Sequence, residues 1–185
     1  MSALTIQTAL VFDGSEYFRH MIKSLLFAFD IPTVRVCSSY DEAVKELVNR
    51  PFARPFDCIL MDWDMEGETE LALVRDVRHG NLAGVDRETP IILCTAHTRL
   101  SQIVDARDVG VSEVILKPIK IDQIIQKLIS ARFRKRDFVD AGVYQGPDRR
   151  RHRSDFDGEC RRMEEESLDQ EEIDEVMSNR DQGRS

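Results

Sequence analysis

The chain has 185 residues, of which 42% are hydrophobic, and its formal net charge is −8 at pH 7. This length fits one ordinary domain with an extension, and the apolar content is sufficient for a single core. The acidic balance argues against a protein that holds a long nucleic acid through general positive charge.

Short apolar runs alternate with stretches of helical periodicity over the first part of the chain. The runs lie at 9–12, 33–37, 57–62, 90–95 and 112–117, and each precedes apolar residues spaced three or four apart. Strands this short and apolar need cover on both faces, which is typical of a parallel sheet between helices. The sequence therefore predicts an α/β fold over 1–130, a doubly wound five-stranded parallel sheet.

The cysteines and the apolar runs also predict where the protein resides. Cys37, Cys58 and Cys94 lie in strand-like runs, where a thiol behaves as a small buried hydrophobe, and only Cys160 lies in polar sequence. No pair of cysteines has metal-ligand spacing, and neither a basic-apolar leader nor a long apolar span is present. We expect a soluble protein of the reducing cytoplasm with no membrane partner.

Polar side chains stand where four of the predicted strands end. The four are Asp13, Asp62, Thr95 and Lys117. Because the carboxyl ends of parallel strands meet in the crevice where the strand order reverses, we expect these groups to converge. Each one alone is more often a cap or a loop residue, but independent capping does not explain two acids, a hydroxyl and an amine together.

The stretches LVFDGSEYFR, ILMDWDM, PIILCTAHT and VILKPI resemble the CheY-like receiver domains of bacterial response regulators, over about residues 6–130. The resemblance implies the strand order 2-1-3-4-5 and a partner face formed by helix 4, strand 5 and helix 5. It also implies that Asp62 accepts a phosphoryl group from a histidine kinase, with Thr95 and Lys117 as switch residues. Asp13 and Asp62 would be the ligands of a Mg²⁺ ion.

The chain departs from the family's pattern around the acceptor. Gly14 stands where a second consecutive acid is usual, which weakens the expected Mg²⁺ site because this ion binds through few protein carboxylates. Glu66 and Glu70 replace the expected Pro and Gly after Asp62, and Val114 stands where an aromatic switch residue is common. We therefore expect a receiver that has kept its acceptor aspartate but no longer depends on it.

Charge is separated into blocks along the chain. Residues 1–129 hold 14 Lys and Arg against 19 Asp and Glu, residues 130–153 hold 8 against 3, and residues 154–185 hold 4 against 12. Such blocks are typical of interaction tails, although a solvated helix end followed by disorder has the same composition. We divide this part into an arginine-rich ligand-binding extension, 131–160, and an acidic tail, 161–185.

Two local predictions concern these segments. Gly142, Gly146 and Pro147 are predicted turn residues that end the last helix. The acidic tail is either disordered or a short amphipathic helix with a cap at Ser167, since isolated helices of this length are marginal in water.

The motif GPDRRRHR places guanidinium groups close together after this break. Arginine forks onto phosphate oxygens or the O6/N7 edge of guanine and stacks on bases, while aspartate accepts from guanine N1–H and N2–H. A small, doubly charged guanine nucleotide fits better than a polyanion, which the acidic tail would repel, or a membrane, since no apolar face accompanies the basic run. The residues assigned to this site are Arg149, Arg150, Arg151 and Arg153, with Asp148, Asp155 and Tyr144 as weaker candidates.

Receivers with an arginine-rich C-terminal extension resemble the CheY-like effectors of cyclic di-GMP, the Cle group. This resemblance implies that the extension binds cyclic di-GMP and that the liganded protein docks on the flagellar motor switch. The sequence thus predicts a binding and signalling protein of motility and chemotaxis, not an enzyme. Two alternatives remain: a phosphoacceptor response regulator that works through Asp62 with the tail as a linker or docking peptide, and a nucleic-acid-binding regulator.

Overall fold

The structure, a computed structural model, describes residues 6–49, 54–63, 71–133, 138–140, 145–147 and 167–178. Its central sheet has five parallel strands in the order β2-β1-β3-β4-β5. The strands are β1 (Thr8–Phe12), β2 (Thr33–Cys37), β3 (Cys58–Asp62), β4 (Ile91–Thr95) and β5 (Glu113–Leu116). The predicted doubly wound fold and its strand order are confirmed.

Five helices cover the two faces of this sheet, and each follows one strand in the chain. They are α1 (Glu16–Ala28), α2 (Tyr40–Val48), α3 (Ala72–His79), α4 (Leu100–Asp108) and α5 (Ile121–Phe133). One buried cluster joins the sheet to α1 and α5, and a second joins its other face to α2, α3 and α4. The strands are apolar on both sides because both faces are covered.

Local signals in the sequence set where the first helices begin. Ser15 caps α1 by accepting a hydrogen bond from the Phe18 backbone N–H, and Ser39 caps α2 in the same way through Glu42. Each hydroxyl satisfies one of the backbone donors that a helix leaves free in its first turn. Asp13 therefore lies between the end of β1 and a fixed helix start.

A hairpin follows α5 where the sequence predicted a turn. Its strands are β6 (Phe138–Asp140) and β7 (Gln145–Pro147), and they pair antiparallel. The assignment of Gly146 and Pro147 to a turn is wrong, because strand pairing overrides their turn propensity and Pro147 takes the last position of its strand.

This hairpin lies at the amino-terminal edge of the sheet, opposite the strand ends that carry Asp62. The Arg87 guanidinium stands 5.0 Å from the centre of the Phe138 ring. The Gln145 backbone packs closely against Gly110, the residue before the loop that leads into β5. A Cβ atom at Gly110 would lie only 3.1 Å from the Gln145 carbonyl oxygen. The chain therefore enters the arginine-rich motif from the end of the sheet remote from the acceptor.

Part of the acidic tail is a helix, α6 (Gln170–Ser178), which packs against α4 and β5. Its cap is Asp169, whose side chain accepts from the Glu172 N–H while the Glu172 carboxylate accepts from the Asp169 N–H. The predicted cap at Ser167 is wrong, because Ser167 forms a β-bridge with Arg99 instead. The reciprocal pair at Asp169 satisfies two backbone donors at once, which a lone serine cannot do.

Candidate functional site

Two carboxylates and one ammonium meet at the carboxyl edge of the sheet. The Lys117 Nζ lies 2.9 Å from the Asp62 Oδ2 and 3.1 Å from the Asp13 Oδ2. Asp13 and Asp62 are 2% and 8% exposed, so both carboxylates are largely removed from water. The parallel sheet brings these three sequence-predicted residues together, with Asp13 directly after β1, Asp62 at the end of β3 and Lys117 directly after β5.

Lys117 is fixed by its surroundings. Its backbone N–H donates to the Thr95 carbonyl at 2.7 Å, which continues the pairing of β5 with β4. Its ammonium also lies 4.0 Å from the centre of the Phe18 ring, a cation–π contact that the sequence analysis missed. Burial pushes the pKa of Lys117 down, but the hydrogen bonds and charges of Asp62 and Asp13 outweigh it and the pKa is raised. Lys117 is therefore a permanent positive charge between the carboxylates.

Asp62 is a carboxylate in a poorly solvated place. Burial and, to a smaller extent, the nearby charge of Asp13 raise its pKa above the ordinary value, although the hydrogen bond and charge of Lys117 act to lower it. Its Oδ1 accepts a hydrogen bond from the Trp63 N–H at 2.8 Å, which leaves Oδ2 facing Lys117. The ionised form that a nucleophile requires depends on these two donors.

The fit of this site to a Mg²⁺ ion follows from its donor set. The Oδ1 atoms of Asp13 and Asp62 accept from backbone N–H groups, and both Oδ2 atoms face Lys117. Within the described residues, no group of three or more His, Cys, Asp or Glu side chains could hold a metal. Two carboxylates are enough ligands for Mg²⁺, but their oxygens are shared with protein donors, so the residues fit the ion as a weak site.

Arg19 is a second cation beside the site, and its role was not predicted from the sequence. Its Nη1 donates to the Asp13 carbonyl at 2.6 Å and to the Gly14 carbonyl at 2.9 Å. The loop that carries a second acid in the family pattern is thus held by a guanidinium here. The signal for this contact was an arginine one turn into a helix that starts directly beyond the strand end.

Thr95 lies at the same edge, at the end of β4. It is fully buried, and its hydroxyl accepts from the His97 backbone N–H at 2.9 Å. The His97 ring makes an edge contact with the Trp63 ring, with 5.4 Å between the ring centroids. These contacts tie the loop after β4 to the residue that follows Asp62, a connection that the sequence analysis did not identify.

The buried thiols take no part in this chemistry. Burial raises the pKa of Cys37 and of Cys94 to about 12, and Cys58 is also buried. A thiol with so high a pKa is not a nucleophile at neutral pH.

The α4–β5 groove, formed by apolar side chains of α4 and β5, is the second feature that bears on function. Val114 on β5 is fully buried in the same cluster as Ile103 of α4. Residues Leu168, Ile173 and Met177 of the C-terminal segment complete that cluster. The position where the family often has an aromatic switch residue is thus covered by α6.

The nucleotide-binding candidates lie outside the described residues. They are Tyr144, Asp148, Arg149, Arg150, Arg151, Arg153 and Asp155, and the same holds for Glu66, Glu70 and Cys160. The chain is described on both sides of the arginine motif, at β7 before it and from Ser167 after it. In the parts of the chain that are described, no helix is long and apolar enough to cross a membrane.

Comparison with known proteins places the chain in context. Residues 9–129 match the family model of the response regulator receiver domain, so the match ends before the arginine motif. The chemotaxis protein CheY of Pseudomonas aeruginosa is 26% identical over 119 residues, which cover 64% of this chain and 90% of that protein. The signal transduction histidine-protein kinase BarA of Shigella flexneri is 32% identical over 99 residues, 52% of this chain but 10% of the kinase.

A solved structure supports the same fold. The chemotaxis protein CheY4 of Vibrio cholerae superposes with a TM-score of 0.57 at 24% identity. The match covers 69% of this chain and 99% of that one.

Proposed function

Because the chain belongs to the response regulator receiver domain family, we propose that it is a CheY-like chemotaxis signalling protein that binds cyclic di-GMP through its arginine-rich extension. The liganded protein docks on the flagellar motor switch through the face formed by α4, β5 and α5. It acts in the cytoplasm by binding and not by turnover.

The observation that carries this proposal is the attachment of the arginine-rich motif to the receiver at both ends. Before the motif, β7 is paired with β6 and held near Gly110. After it, Ser167 pairs with Arg99 and the Leu168 N–H donates to the Thr98 carbonyl at 2.8 Å. A segment that orders around a ligand between two such anchors transmits that ordering to the groove, because α6 begins at the second anchor.

The chemistry of the motif fits the two phosphates and two guanines of cyclic di-GMP. Four arginines within five positions can make charge-assisted, bidentate contacts to phosphate oxygens. The roles assigned to Asp148 and Asp155 are acceptance from guanine N–H groups, and the role of Tyr144 is stacking.

Isothermal titration calorimetry with cyclic di-GMP tests this function on the full chain. In the test variant, Arg149, Arg150, Arg151 and Arg153 are replaced by alanine. The control variant loses the same amount of charge beyond the motif, through alanine at Arg161, Arg162, Arg180 and Arg184. We expect affinity at least about 100-fold weaker in the test variant, as the loss of several charge-assisted contacts implies, and near-native affinity in the control. Equal binding by all three proteins would refute the assignment.

A second candidate function is favoured by the geometry around Asp62. Here the Asp62 carboxylate would attack the phosphorus of a histidine kinase phosphohistidine, so that the P–N bond breaks and an acyl phosphate forms. Lys117, already 2.9 Å from Asp62, would neutralise the transferred phosphoryl oxygens. A bound Mg²⁺ held by Asp13 and Asp62 would add further positive charge.

Labelling with acetyl phosphate and Mg²⁺ separates the two functions. Under the first, we expect slow labelling that does not alter cyclic di-GMP binding, because the metal site is weak. Saturable labelling that is lost in Asp62→Asn would make phosphoryl transfer the principal input.

A further inference from the structure

A side chain of α6 occupies the free edge of the sheet. Among the strands that the structure describes, β5 is last in the order, so its outward-facing backbone groups have no neighbouring strand there. The Gln170 Oε1 accepts from the Leu116 N–H at 2.7 Å, and its Nε2 donates to the Val114 carbonyl at 3.0 Å. The carboxamide thus makes the same pair of hydrogen bonds that a backbone amide of another strand would make.

One face of the C-terminal segment fills the α4–β5 groove. Leu168, Ile173 and Met177 are 6%, 0% and 1% exposed. The opposite face is acidic and exposed, and it consists of Glu171, Glu172 and Glu175. Packing on this scale is specific, because three apolar side chains of one short segment are each almost completely removed from water.

Positive groups of the receiver complement the acidic character of α6. The Lys127 Nζ lies 2.6 Å from the Asp174 Oδ1 and 3.0 Å from the Glu113 Oε2. The Arg107 Nη1 donates to the Val176 carbonyl at 3.3 Å, near the C-terminus of the helix. A cation there also interacts favourably with the helix dipole. The groove therefore favours an amphipathic helix by shape and by backbone pairing, and it favours an acidic one through the carboxylate at the place of Asp174.

The receiver fold does not require α6. The family match ends at residue 129, and CheY4 of Vibrio cholerae aligns over 99% of its own length with 69% of this chain. An isolated helix of nine residues is marginal in water, so α6 owes its structure to the groove. Detachment of α6 would uncover the α4–β5 groove while leaving the five-stranded sheet intact.

We propose that α6 is an intramolecular competitor that closes the α4–β5 groove, and that the groove's external ligand is an acidic amphipathic helix of a partner protein. That helix carries apolar residues at the spacing of Leu168, Ile173 and Met177, with a carboxamide at the place of Gln170. The inference rests on the proposed function only in taking the face formed by α4, β5 and α5 as the surface that binds the partner protein. It does not depend on the binding of cyclic di-GMP.

Tethering makes this competition effective. A ligand joined to its own receptor by a connection that can span the distance reaches an effective concentration of up to about millimolar. If free α6 binds the open groove with a Kd of about 10 µM, a partner helix would therefore bind the closed protein roughly 100-fold more weakly than the open one. Any input that detaches α6 restores the full affinity.

The experiment measures how a fluorescent peptide of residues 166–179 binds the full-length protein in trans. The test variant carries Ile173→Ala and Met177→Ala, which remove the apolar contacts of the tethered helix but keep its helix propensity. The control variant carries Glu171→Ala and Glu175→Ala, which alter only the exposed face. Circular dichroism and the thermal unfolding of each protein establish that the receiver is folded.

Fluorescence anisotropy then gives three affinities. We expect the test variant to bind the peptide at least about 10-fold more tightly than either the wild type or the control. Equal affinities in all three proteins would show that α6 does not compete, and no binding to the test variant would show that the groove does not accept this helix in trans. Either result overturns the proposal. The calorimetric test of cyclic di-GMP binding is independent of this experiment, so the two proposals can fail separately.

If the double variant proves unfolded, Gln170→Ala provides the same comparison. This substitution leaves the apolar contacts in place and removes the two hydrogen bonds to β5. Tighter peptide binding than in wild type supports the proposal, and unchanged binding overturns it.

Discussion

Replacement of Gln170 by alanine should weaken the attachment of α6 without disturbing the receiver core. The substitution removes both hydrogen bonds to β5, of 2.7 Å from the Leu116 N–H to Oε1 and 3.0 Å from Nε2 to the Val114 carbonyl, besides one bond within α6 to Asp174. At about 1 kcal/mol for each bond, the free energy of detaching α6 should fall by about 2 kcal/mol. That difference corresponds to a roughly 30-fold larger open population.

Hydrogen exchange followed by NMR reports this change directly at the Leu116 amide, because Gln170 is its acceptor in the closed protein. We expect exchange at Leu116 to accelerate by roughly 30-fold or more, while amides in the centre of the sheet exchange as in wild type. Glu171→Ala, on the exposed face of the same helix, is the matched control and should leave the Leu116 rate unchanged. A Leu116 rate within about twofold of wild type in Gln170→Ala would refute the reasoning, since the energy scale requires far more.

Three further predictions concern stability, and urea or thermal unfolding measures each. The raised pKa of Asp62 means that its ionisation costs native stability as pH rises, so Asp62→Asn should have a higher Tm than wild type at pH 7. This gain should vanish below about pH 3, where aspartates are protonated in both folded and unfolded chains; a constant gain would contradict it. Lys127→Met removes a cation that lies 3.0 Å from the buried Glu113 carboxylate and should destabilise by about 3 kcal/mol, so a loss below about 1 kcal/mol would argue against a strong ion pair. Arg78 is fully buried, and Arg78→Met should cost more than about 3 kcal/mol, whereas the exposed control Arg35→Met should change stability by less than about 1 kcal/mol.

The large effect expected at Arg78 follows from its hydrogen bonds. Its guanidinium donates to the carbonyls of Gly110, Arg87 and Thr89 at 2.8, 2.6 and 2.8 Å. These carbonyls lie in the loops before β4 and β5, so one side chain joins two loops at the amino-terminal edge of the sheet. Loss of a buried group of this kind leaves several acceptors without a donor.

The fold was predictable because its signals are local and repeated. Five short apolar runs, each followed by residues of helical period, indicate strands and helices wherever they occur. The strand ends then bring Asp13, Asp62 and Lys117 to one edge, since all five strands point the same way. The strand order itself was carried over from the resemblance, because periodicity does not distinguish which strands are neighbours.

Contacts that depend on side-chain direction or on strand pairing were not predictable in the same way. The cation–π contact of Lys117 with Phe18 and the bonds of Arg19 to the Asp13 and Gly14 carbonyls depend on side-chain directions at a junction of elements. The strand β7 was predicted as a turn because Gly146 and Pro147 favour turns locally, while pairing with β6 decides otherwise.

The sequence alone determined the receiver sheet, the acidic pair with its lysine, and the separation of charge along the tail, because each depends on residue type and spacing. It left the acidic tail as either disordered or helical, because a helix of nine residues has only marginal stability in water by itself. Only the tertiary structure decided it. The free edge of β5 offers Gln170 two backbone partners, and the α4–β5 groove removes Ile173 and Met177 from water, so a segment with little helical stability of its own is ordered by the surface that it covers.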